Sequence, residues 1–391
     1  MEKNSIVIEG TTIINPEETI ENASIYIKEG IIQEITQTSL AKENYNCRHM
    51  KAPENSYLIP GMIDLHIHGA VGADVMDASP EQLKKLCAAL PEEGTTSFLP
   101  TTLTESPSLT KQALSYAAAH YKQQGIKEAQ ILGIHLEGPF IHPNKKGAQP
   151  EEHIQLPSIS QFEEFQQAAD GEIKLVTLAP ERERDDLLTS YLAQNNIIAS
   201  IGHSDATYQE TLLAMEEGVS HVTHLYNGMS GLHHRAPGVA AAALAEDNLT
   251  VEIIADGVHV HPDMVNLTFQ AKGKERMMII TDSIRAKRMG AGPHELGGQK
   301  VFMKHGSPYL EDGTLAGSSL PMIEGFKNVL AYTNCSLNEA VQMTSYNQAC
   351  KLGIEHKKGH IAAGKDADLV LLTEQLDVEK TFIQGAAVFE S

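Results

Sequence analysis

Two histidines separated by one residue stand in the segment Asp64-Leu-His66-Ile-His68-Gly. Residues two apart on an extended strand present their side chains to the same face, so both imidazoles can point towards one site. An H-x-H pair of this kind is a recognised arrangement for a divalent metal. On its own the pair leaves two interpretations open, metal ligation and a histidine-rich loop.

Three further residues of metal-ligand type, Glu137, His203 and His224, each follow an apolar run. One carboxylate and two imidazoles form a mixed ligand set that leaves an open position for water in catalytic zinc-type sites. Taken with the H-x-H pair, they predict a centre for one or two divalent ions per subunit. Zinc, iron and manganese all accept this nitrogen and oxygen set.

Asp282, in Ile-Ile-Thr-Asp-Ser, is placed as a general base for a reacting water would be, although an aspartate between a strand and a helix is also a common N-cap. Arg235 follows His233 and His234 in a glycine-rich loop. That cluster has two interpretations, a solvated group of charges and an anion clamp. Residue type and spacing leave both pairs of alternatives open.

The elements that must position these residues are eight apolar runs that alternate with helical segments, the pattern of repeated βα units. Eight parallel strands close a (β/α)8 TIM-like barrel, whose active site lies at the carboxyl ends of the strands. The ligand-type residues follow six of these runs. The predicted strands are 58–65, 96–99, 131–136, 173–178, 197–201, 221–223, 250–254 and 277–281.

The two ends of the chain, residues 1–57 and 359–391, contain short strand-like runs with turn residues between them. They are predicted to pair into a small β-sandwich accessory domain, and residues 58–358 form the barrel. Helices are predicted over 80–90, with Ser79 as its cap, and over 106–124.

The formal net charge of −21 over 391 residues argues against non-specific binding to nucleic acid or to an anionic membrane. Any anionic substrate must then be held by local positive groups. The N-terminus lacks the apolar core of a signal peptide, no apolar run approaches the ~18 residues of a membrane span, and four scattered cysteines suit reduced thiols. We therefore expect a cytoplasmic protein.

Over essentially its whole length the sequence resembles the amidohydrolase superfamily and, within it, the N-acetylglucosamine-6-phosphate deacetylases. The superfamily marks are Pro60-Gly-Met-Ile-Asp-Leu-His-Ile-His-Gly and Gly364-Lys-Asp-Ala-Asp-Leu-Val. The deacetylase-like marks are Gly133-Ile-His-Leu-Glu-Gly-Pro-Phe, Lys145-Lys-Gly-Ala-Gln, Ala179-Pro-Glu, Gly202-His-Ser-Asp-Ala, Thr223-His-Leu-Tyr-Asn-Gly-Met, Asp256-Gly-Val-His, Thr281-Asp-Ser and Leu315-Ala-Gly-Ser.

This resemblance implies metal ligation by Glu137, His203 and His224 and catalysis by Asp282. The retained pair His66 and His68 resembles the branch able to hold a second ion, with Asp282 as a further ligand and Glu137 as the bridge. The implied substrate contacts are Ala148, Gln149, Asn227, Gly228, Arg235, Asp256, Gly257, Val258, His259, Leu315, Ala316 and Gly317. Gln149 departs from the family, because other members carry a histidine there.

The implied reaction is hydrolysis of N-acetyl-D-glucosamine 6-phosphate to D-glucosamine 6-phosphate and acetate. The resemblance also implies a homodimer in which Arg235 or His259 reaches the phosphate across the interface. Another amidohydrolase, a deaminase or a cyclic-amide hydrolase, would use the same fold and most of the same ligands. A non-catalytic scaffold is a second alternative, although such descendants typically lose ligands.

Overall fold

The structure is a computed structural model that describes residues 5–38, 40, 45, 47–184 and 187–391. Its strands are β1 (Ser5–Ile14), β2 (Thr19–Lys28), β3 (Ile31–Thr36), β4 (Arg48–Lys51), β5 (Tyr57–Pro60), β6 (Met62–Ile67), β7 (Gly69–Ala70), β8 (Ala73–Asp74), β9 (Thr95–Pro100), β10 (Gln130–Ile131), β11 (Ile134–Glu137), β12 (Ile173–Leu178), β13 (Ile198–Ile201), β14 (Val219–Val222), β15 (Thr250–Ile254), β16 (Met277–Ile280), β17 (Pro293–Leu296), β18 (Gln299–Lys304), β19 (Ser307–Tyr309), β20 (Leu369–Leu372), β21 (Val378–Ile383) and β22 (Ala386–Glu390).

Its α-helices are α1 (Pro80–Ala89), α2 (Pro107–Gln123), α3 (Ile159–Ala168), α4 (Leu188–Gln194), α5 (Tyr208–Glu216), α6 (Val239–Ala245), α7 (Pro262–Arg276), α8 (Met322–Thr333), α9 (Leu337–Val341) and α10 (Asn347–Lys351). Short 3-10 helices lie at Val75–Asp77, Leu90–Glu93, Pro143–Lys145, Glu151–His153 and Pro180–Arg182, and a π-helix at Gln342–Tyr346. The two helices predicted from sequence are α1 and α2. The Ser79 hydroxyl caps α1 by accepting from the Gln82 amide at 3.5 Å. Among the described residues, no helix is long and apolar enough to cross a membrane.

The two ends of the chain pair with each other in one sheet of order β22-β21-β20-β5-β1-β2-β3, with β4 beside β1. β20 runs antiparallel to β5, with Val370 opposite Ile59. Isoleucines two apart, such as Ile25 and Ile27 on β2, are fully buried because alternate residues of a strand share one face. Within the predicted segment 1–57, residues 1–4, 39, 41–44 and 46 lie outside the described residues.

The central part of the chain forms parallel strands, β11 to β16 in chain order in one sheet and β6, β9 and β10 in another. Two isolated parallel bridges, Thr101 to His135 and Ile67 to Ser283, join the two sheets at both edges. β6, β9, β11 and β16 are buried along their whole length. Burial on both faces explains why such strands read as continuous apolar runs. The fold is mixed α/β with a curled parallel sheet.

Two predicted strands are each two strands in the structure, and a glycine separates the parts. The run 58–65 divides at Gly61 into β5, in the terminal sheet, and β6, in the parallel sheet. The run 131–136 divides at Gly133, which has a φ of +148°. Glycine inside a strand pattern commonly marks such a break or a close approach of two backbones, and a Cβ at Gly61 would lie 2.0 Å from the Thr96 hydroxyl oxygen.

A buried ion pair fixes the segment that follows β16. The Lys287 ammonium lies 2.7 Å from the Glu93 carboxylate, at the end of the 3-10 helix after α1, and the two side chains are 0% and 3% exposed. Removing one partner of such a pair leaves a buried charge uncompensated, which costs about 3–5 kcal/mol.

We therefore expect Lys287→Met to lower the free energy of unfolding, measured by urea denaturation, by about 3–5 kcal/mol. The double variant Lys287→Met/Glu93→Leu is the control and should recover much of the loss, because the carboxylate 2.7 Å from Lys287 is removed with it. A single variant as stable as the wild type would contradict the role given to this pair.

Candidate metal centre

Six side chains meet where the parallel strands end, and all six are residues that the sequence analysis selected. Two lie on β6 or directly after it, one ends β11, and three stand two positions beyond β13, β14 and β16. Every one of them is less than 9% exposed. They are His66, His68, Glu137, His203, His224 and Asp282.

Glu137 lies at the centre of this cluster. Its Oε1 atom is 3.1 Å from Nε2 of His224, 3.3 Å from Nε2 of His203 and 3.4 Å from Nε2 of His66. Its Oε2 atom is 3.3 Å from Nε2 of His68. One carboxylate thus faces four imidazoles, and each imidazole presents the same ring nitrogen to it.

The cluster divides into two groups that could each hold a metal ion, and within each group the ligand atoms lie within 4.8 Å of one another. The first consists of His66, His68 and Asp282, with Asp282 Oδ1 at 3.2 Å from Nε2 of His68. The second consists of Glu137, His203 and His224. Imidazole nitrogen with carboxylate oxygen suits zinc, iron and manganese, so the donor set fits a divalent cation in both groups.

Main-chain carbonyl groups orient two of the imidazoles. Nδ1 of His68 lies 3.2 Å from the Thr101 oxygen, and Nδ1 of His203 lies 2.7 Å from the Lys145 oxygen. A carbonyl oxygen only accepts, so a neutral ring carries its proton on Nδ1, which leaves the Nε2 lone pair facing the cluster. Metal-ligating histidines are normally held in this way.

The neighbouring imidazoles determine whether the two carboxylates of the cluster are ionised. Burial raises the pKa of the Glu137 carboxyl, but the charge of His66 and imidazole hydrogen bonds outweigh burial and hold that pKa well below its ordinary value. Burial and the His66 charge oppose each other in the same way at Asp282, where the net effect lowers the pKa. Both carboxylates are therefore ionised at neutral pH, as ligands for a cation must be.

Three of the six residues have an unusual backbone conformation. His203, His224 and Asp282 have φ values of +46°, +29° and +49°. Non-glycine residues in this region are uncommon, and they concentrate at functional sites where the surrounding structure holds them. The chain turns sharply as it leaves these strands, which directs the side chains inwards. Gly228 packs close by, and a Cβ there would lie 2.8 Å from Nδ1 of His203.

The N-cap interpretation of Asp282 is wrong. No helix begins within residues 283–292, all of which the structure describes. The backbone N–H of Asp282 donates to the His66 carbonyl at 2.8 Å, and its own carbonyl accepts from Ser318 at 2.7 Å. These bonds leave the carboxylate beside the imidazoles.

A cavity of about 220 Å³ opens in front of the cluster. Twelve of the predicted site residues line it, namely His68, Glu137, Ala148, Gln149, His203, His224, Asn227, Gly228, His259, Asp282, Leu315 and Gly317. Sequence reasoning missed four further lining residues, Leu103, Gly147, Leu296 and Thr314, whose ordinary residue types carry no chemical signal. The predicted residues that do not line it are His66, Arg235, Asp256, Gly257, Val258 and Ala316.

Asp256 acts on its neighbour His259. Its Oδ2 atom lies 2.7 Å from Nδ1 of His259, and its Oδ1 atom accepts from the amides of Val258 and His259 at 2.8 Å. This arrangement leaves Nε2 of His259 for the cavity. Arg235 is exposed and its Nη1 atom lies 2.9 Å from Nε2 of His234, so within one chain it does not reach the cavity that Glu137 borders.

Gln149 uses both ends of its carboxamide inside the site. Its Nε2 group donates to Oε2 of Glu137 at 2.7 Å, and its Oε1 atom accepts from the Thr104 amide at 2.7 Å. Only 3% of the residue is exposed. Gln149 therefore orients the central carboxylate as well as lining the cavity.

The carboxylate of Glu252 on β15 also contacts the cluster, and the sequence analysis did not select it. It lies 3.1 Å from Nδ1 of His66 and is fully buried. A signal was present, because Glu252 is a charged residue inside the apolar run Thr-Val-Glu-Ile-Ile. Buried charges in strands are rare unless they are paired or ligate metals.

Similarity to known proteins agrees with this site. The sequence matches the Amidohydrolase family over residues 57–388. It is 45% identical over 391 residues to the N-acetylglucosamine-6-phosphate deacetylase of Bacillus subtilis (strain 168), covering 99% of this chain and 98% of the relative.

Two solved structures are also similar over nearly the whole chain. The N-acetylglucosamine-6-phosphate deacetylase of Thermotoga maritima has a TM-score of 0.88 at 37% identity, covering 98% of this chain and 100% of that one. A mutant of the Mycobacterium smegmatis enzyme, in complex with N-acetyl-D-glucosamine-6-phosphate, has a TM-score of 0.91 at 27% identity, covering 98% and 99%.

The imidazoles make metal binding dependent on pH. Burial lowers the pKa of His68, but hydrogen bonds from its ring to Asp282 and Glu137 outweigh this and raise the pKa to about 9. Below that pH a proton occupies the ring in the metal-free protein, and a cation must displace it. We expect the affinity for Zn²⁺, measured by competition with a chelator, to fall by about tenfold per pH unit for each proton displaced as the pH decreases from 8 to 6. An affinity that is constant over this range would contradict ligation by the imidazoles.

Proposed function

Because this chain belongs to the amidohydrolase family, we propose that it removes the acetyl group from N-acetyl-D-glucosamine 6-phosphate and releases D-glucosamine 6-phosphate and acetate. The observation that carries this is the convergence of Glu137, His203, His224 and Asp282 on one cavity, in a chain similar throughout to deacetylases of this substrate. Members of the family depend on a metal.

Glu137, His203 and His224 would hold one divalent cation, and His66, His68 and Asp282 would hold a second. A bound cation would supply Lewis-acid chemistry, lowering the pKa of water towards about 7 and polarising the acetamide carbonyl. Carbonyl acceptors at Thr101 and Lys145, together with the Gln149 amide, keep these ligands in position.

Asp282 moves the proton. Its carboxylate borders the cavity and is ionised, so it takes a proton from the attacking water and passes it to the amine as the carbon–nitrogen bond breaks. Without that second transfer the amine is a poor leaving group. The same side chain serves first as a base and then as an acid.

The sugar occupies the cavity beside the cluster. Its contacts in the cavity are Ala148, Gln149, Asn227, Gly228, His259, Leu315 and Gly317. Of the other predicted contacts, Gly257, Val258 and Ala316 do not line the cavity, and Asp256 orients His259. Arg235 is planar and always charged, which suits a phosphate, and His259 is the second phosphate contact. Arg235 points to solvent in its own chain, so it acts in the cavity of a partner subunit in a homodimer.

The scaffold for this site is a (β/α)8 barrel closed by β6, β9 and β11 to β16. The two parallel bridges that join the sheets at Thr101 and Ile67 support closure. The accessory β-sandwich, built from 1–57 and 359–391, would contain the terminal sheet.

Replacement of the base by an amide tests the reaction. We expect Asp282→Asn to lower kcat for acetate release by about 10²–10⁴-fold, because proton transfer is lost. KM and the Zn²⁺ held by Glu137, His203 and His224 should change little, since Asp282 is not one of those three ligands. Turnover near the wild-type rate would refute the role of Asp282.

Loss of the phosphate contact should affect only the phosphorylated substrate. We expect Arg235→Ala to raise KM for N-acetyl-D-glucosamine 6-phosphate by about 10–100-fold, as charge-assisted hydrogen bonds are lost. Hydrolysis of N-acetyl-D-glucosamine, which has no phosphate, should be unchanged. An equal effect on both sugars would favour another amidohydrolase activity, such as that of a deaminase or a cyclic-amide hydrolase.

Mixed dimers test whether Arg235 acts across the interface. Chains carrying Asp282→Asn and chains carrying Arg235→Ala are each defective alone. If Arg235 serves the partner's cavity, a mixed dimer contains one intact site, and an equal mixture should regain about a quarter of wild-type activity. No recovery would place Arg235 in the site of its own chain.

A further inference from the structure

Glu252 is a buried carboxylate that the reaction described above does not use. It stands in the middle of β15 and is 0% exposed. A buried carboxylate is costly unless hydrogen bonds satisfy it. Its neighbours are therefore the best indication of its role.

Three donors surround this carboxylate. Oε2 lies 3.1 Å from Nδ1 of His66 and accepts from the backbone N–H of His224 at 3.2 Å. Oε1 lies 3.1 Å from Nε2 of His221. The other nitrogen of His221 is 2.7 Å from the Thr250 hydroxyl oxygen, so His221 holds Glu252 in place from the side away from the metal ligands.

The contact with His66 determines which nitrogen of that ring faces the cluster. A carboxylate accepts, so the ring proton sits on Nδ1 and the neutral ring carries its lone pair on Nε2. Within the described part of the chain, this Nε2 atom is buried without a hydrogen-bond partner. It points towards Glu137 Oε1 at 3.4 Å and Asp282 Oδ1 at 3.5 Å.

The contact with His224 acts through the backbone. His68 and His203 have carbonyl partners for Nδ1, whereas Nδ1 of His224 has no hydrogen-bond partner among the described residues. The position of the His224 ring therefore depends on its main chain, which has a φ of +29°. Glu252 holds that main chain by accepting its N–H.

We propose that Glu252 is a positioning residue that fixes one ligand in each metal group, His66 by its ring and His224 by its backbone. This inference rests on the proposed metal centre. Hydrogen-bond partners of ligating histidines typically contribute 10- to 100-fold to metal affinity. Through Glu252 a single side chain couples the geometry of the two ion sites.

The test is Zn²⁺ binding, measured by competition with a chelator and by the ion content per chain after dialysis. Glu252→Met removes the acceptor and should weaken Zn²⁺ binding by about 10–100-fold, with loss of the ion held by His66. The visible spectrum of the Co²⁺-loaded variant should also change, because the ligand geometry changes. Glu252→Gln should stay within tenfold of wild type, because its amide oxygen can still accept from His66 and His224 while its NH₂ group donates to His221.

Gln348→Met is the matched control. Gln348 is also fully buried and donates to the carbonyls of Ile279 and Met343, away from the ligands. It should lower stability without altering Zn²⁺ affinity or the Co²⁺ spectrum. Wild-type Zn²⁺ binding by Glu252→Met, or an equal loss in Gln348→Met, would overturn the proposal.

If Glu252→Met does not fold, Glu252→Asp replaces it, since the shortened carboxylate cannot reach His66 and His224 together. It should show the same loss, and wild-type affinity would overturn the inference. A wild-type chain that binds no Zn²⁺ would overturn the metal centre and this inference together. Zn²⁺ binding without acetate release would contradict only the proposed reaction.

Discussion

The structure depends on one electrostatic constraint, the confinement of two carboxylates and four imidazoles in a volume that excludes most water. Two ionised carboxylates a few ångströms apart repel each other, and burial raises the cost of each charge. Positive charge among them offsets this cost, whether from protons on the imidazoles or from a cation. In the metal-free protein, this attraction between carboxylates and imidazoles lowers the pKa of Glu137 and raises the pKa of His68. The cluster therefore favours a cation over any neutral occupant.

Such a cluster exists only if the scaffold opposes its repulsion. Each member stands at or just beyond the carboxyl end of a buried strand, and parallel strands bring those ends together. The positive φ values of His203, His224 and Asp282 are strained and cost of the order of 1–3 kcal/mol each. Hydrogen bonds hold the strained positions, among them the Asp282 amide to the His66 carbonyl and the His224 amide to Glu252. These hydrogen bonds therefore keep the three residues in their strained conformation and limit their motion.

The six residues of the cluster could be predicted from the sequence, because each one is a His, Glu or Asp at the end of an apolar run or just after it. The strands of the parallel sheets were found, except where Gly61 and Gly133 divide two of the predicted runs, whereas the antiparallel strands β17 to β19 were not predicted. The division of the chain into domains at 57 and 358 stays a prediction. What could not be predicted were contacts between distant positions. The Lys145 carbonyl that orients His203 has no residue-type signal at all, since every residue has a carbonyl. Glu252 did have one, but its partner His66 is 186 positions away, and no local pattern identifies such a partner.

The acidic character of the chain imposes a last constraint on the site. With a net charge of −21, the surface repels a sugar phosphate at long range, so binding must rely on charges inside the Debye length of about 8 Å. In the proposed reaction, cations at the cluster would lie at the acetamide end of the substrate, away from its phosphate. The phosphate end therefore needs its own positive group, and among the predicted contacts Arg235 alone is permanently charged. The proposed dimer would give a partner surface to exposed Arg235 and to apolar Leu232 of the same loop, which is 56% exposed. Formation of the dimer and formation of the phosphate site would then be a single event.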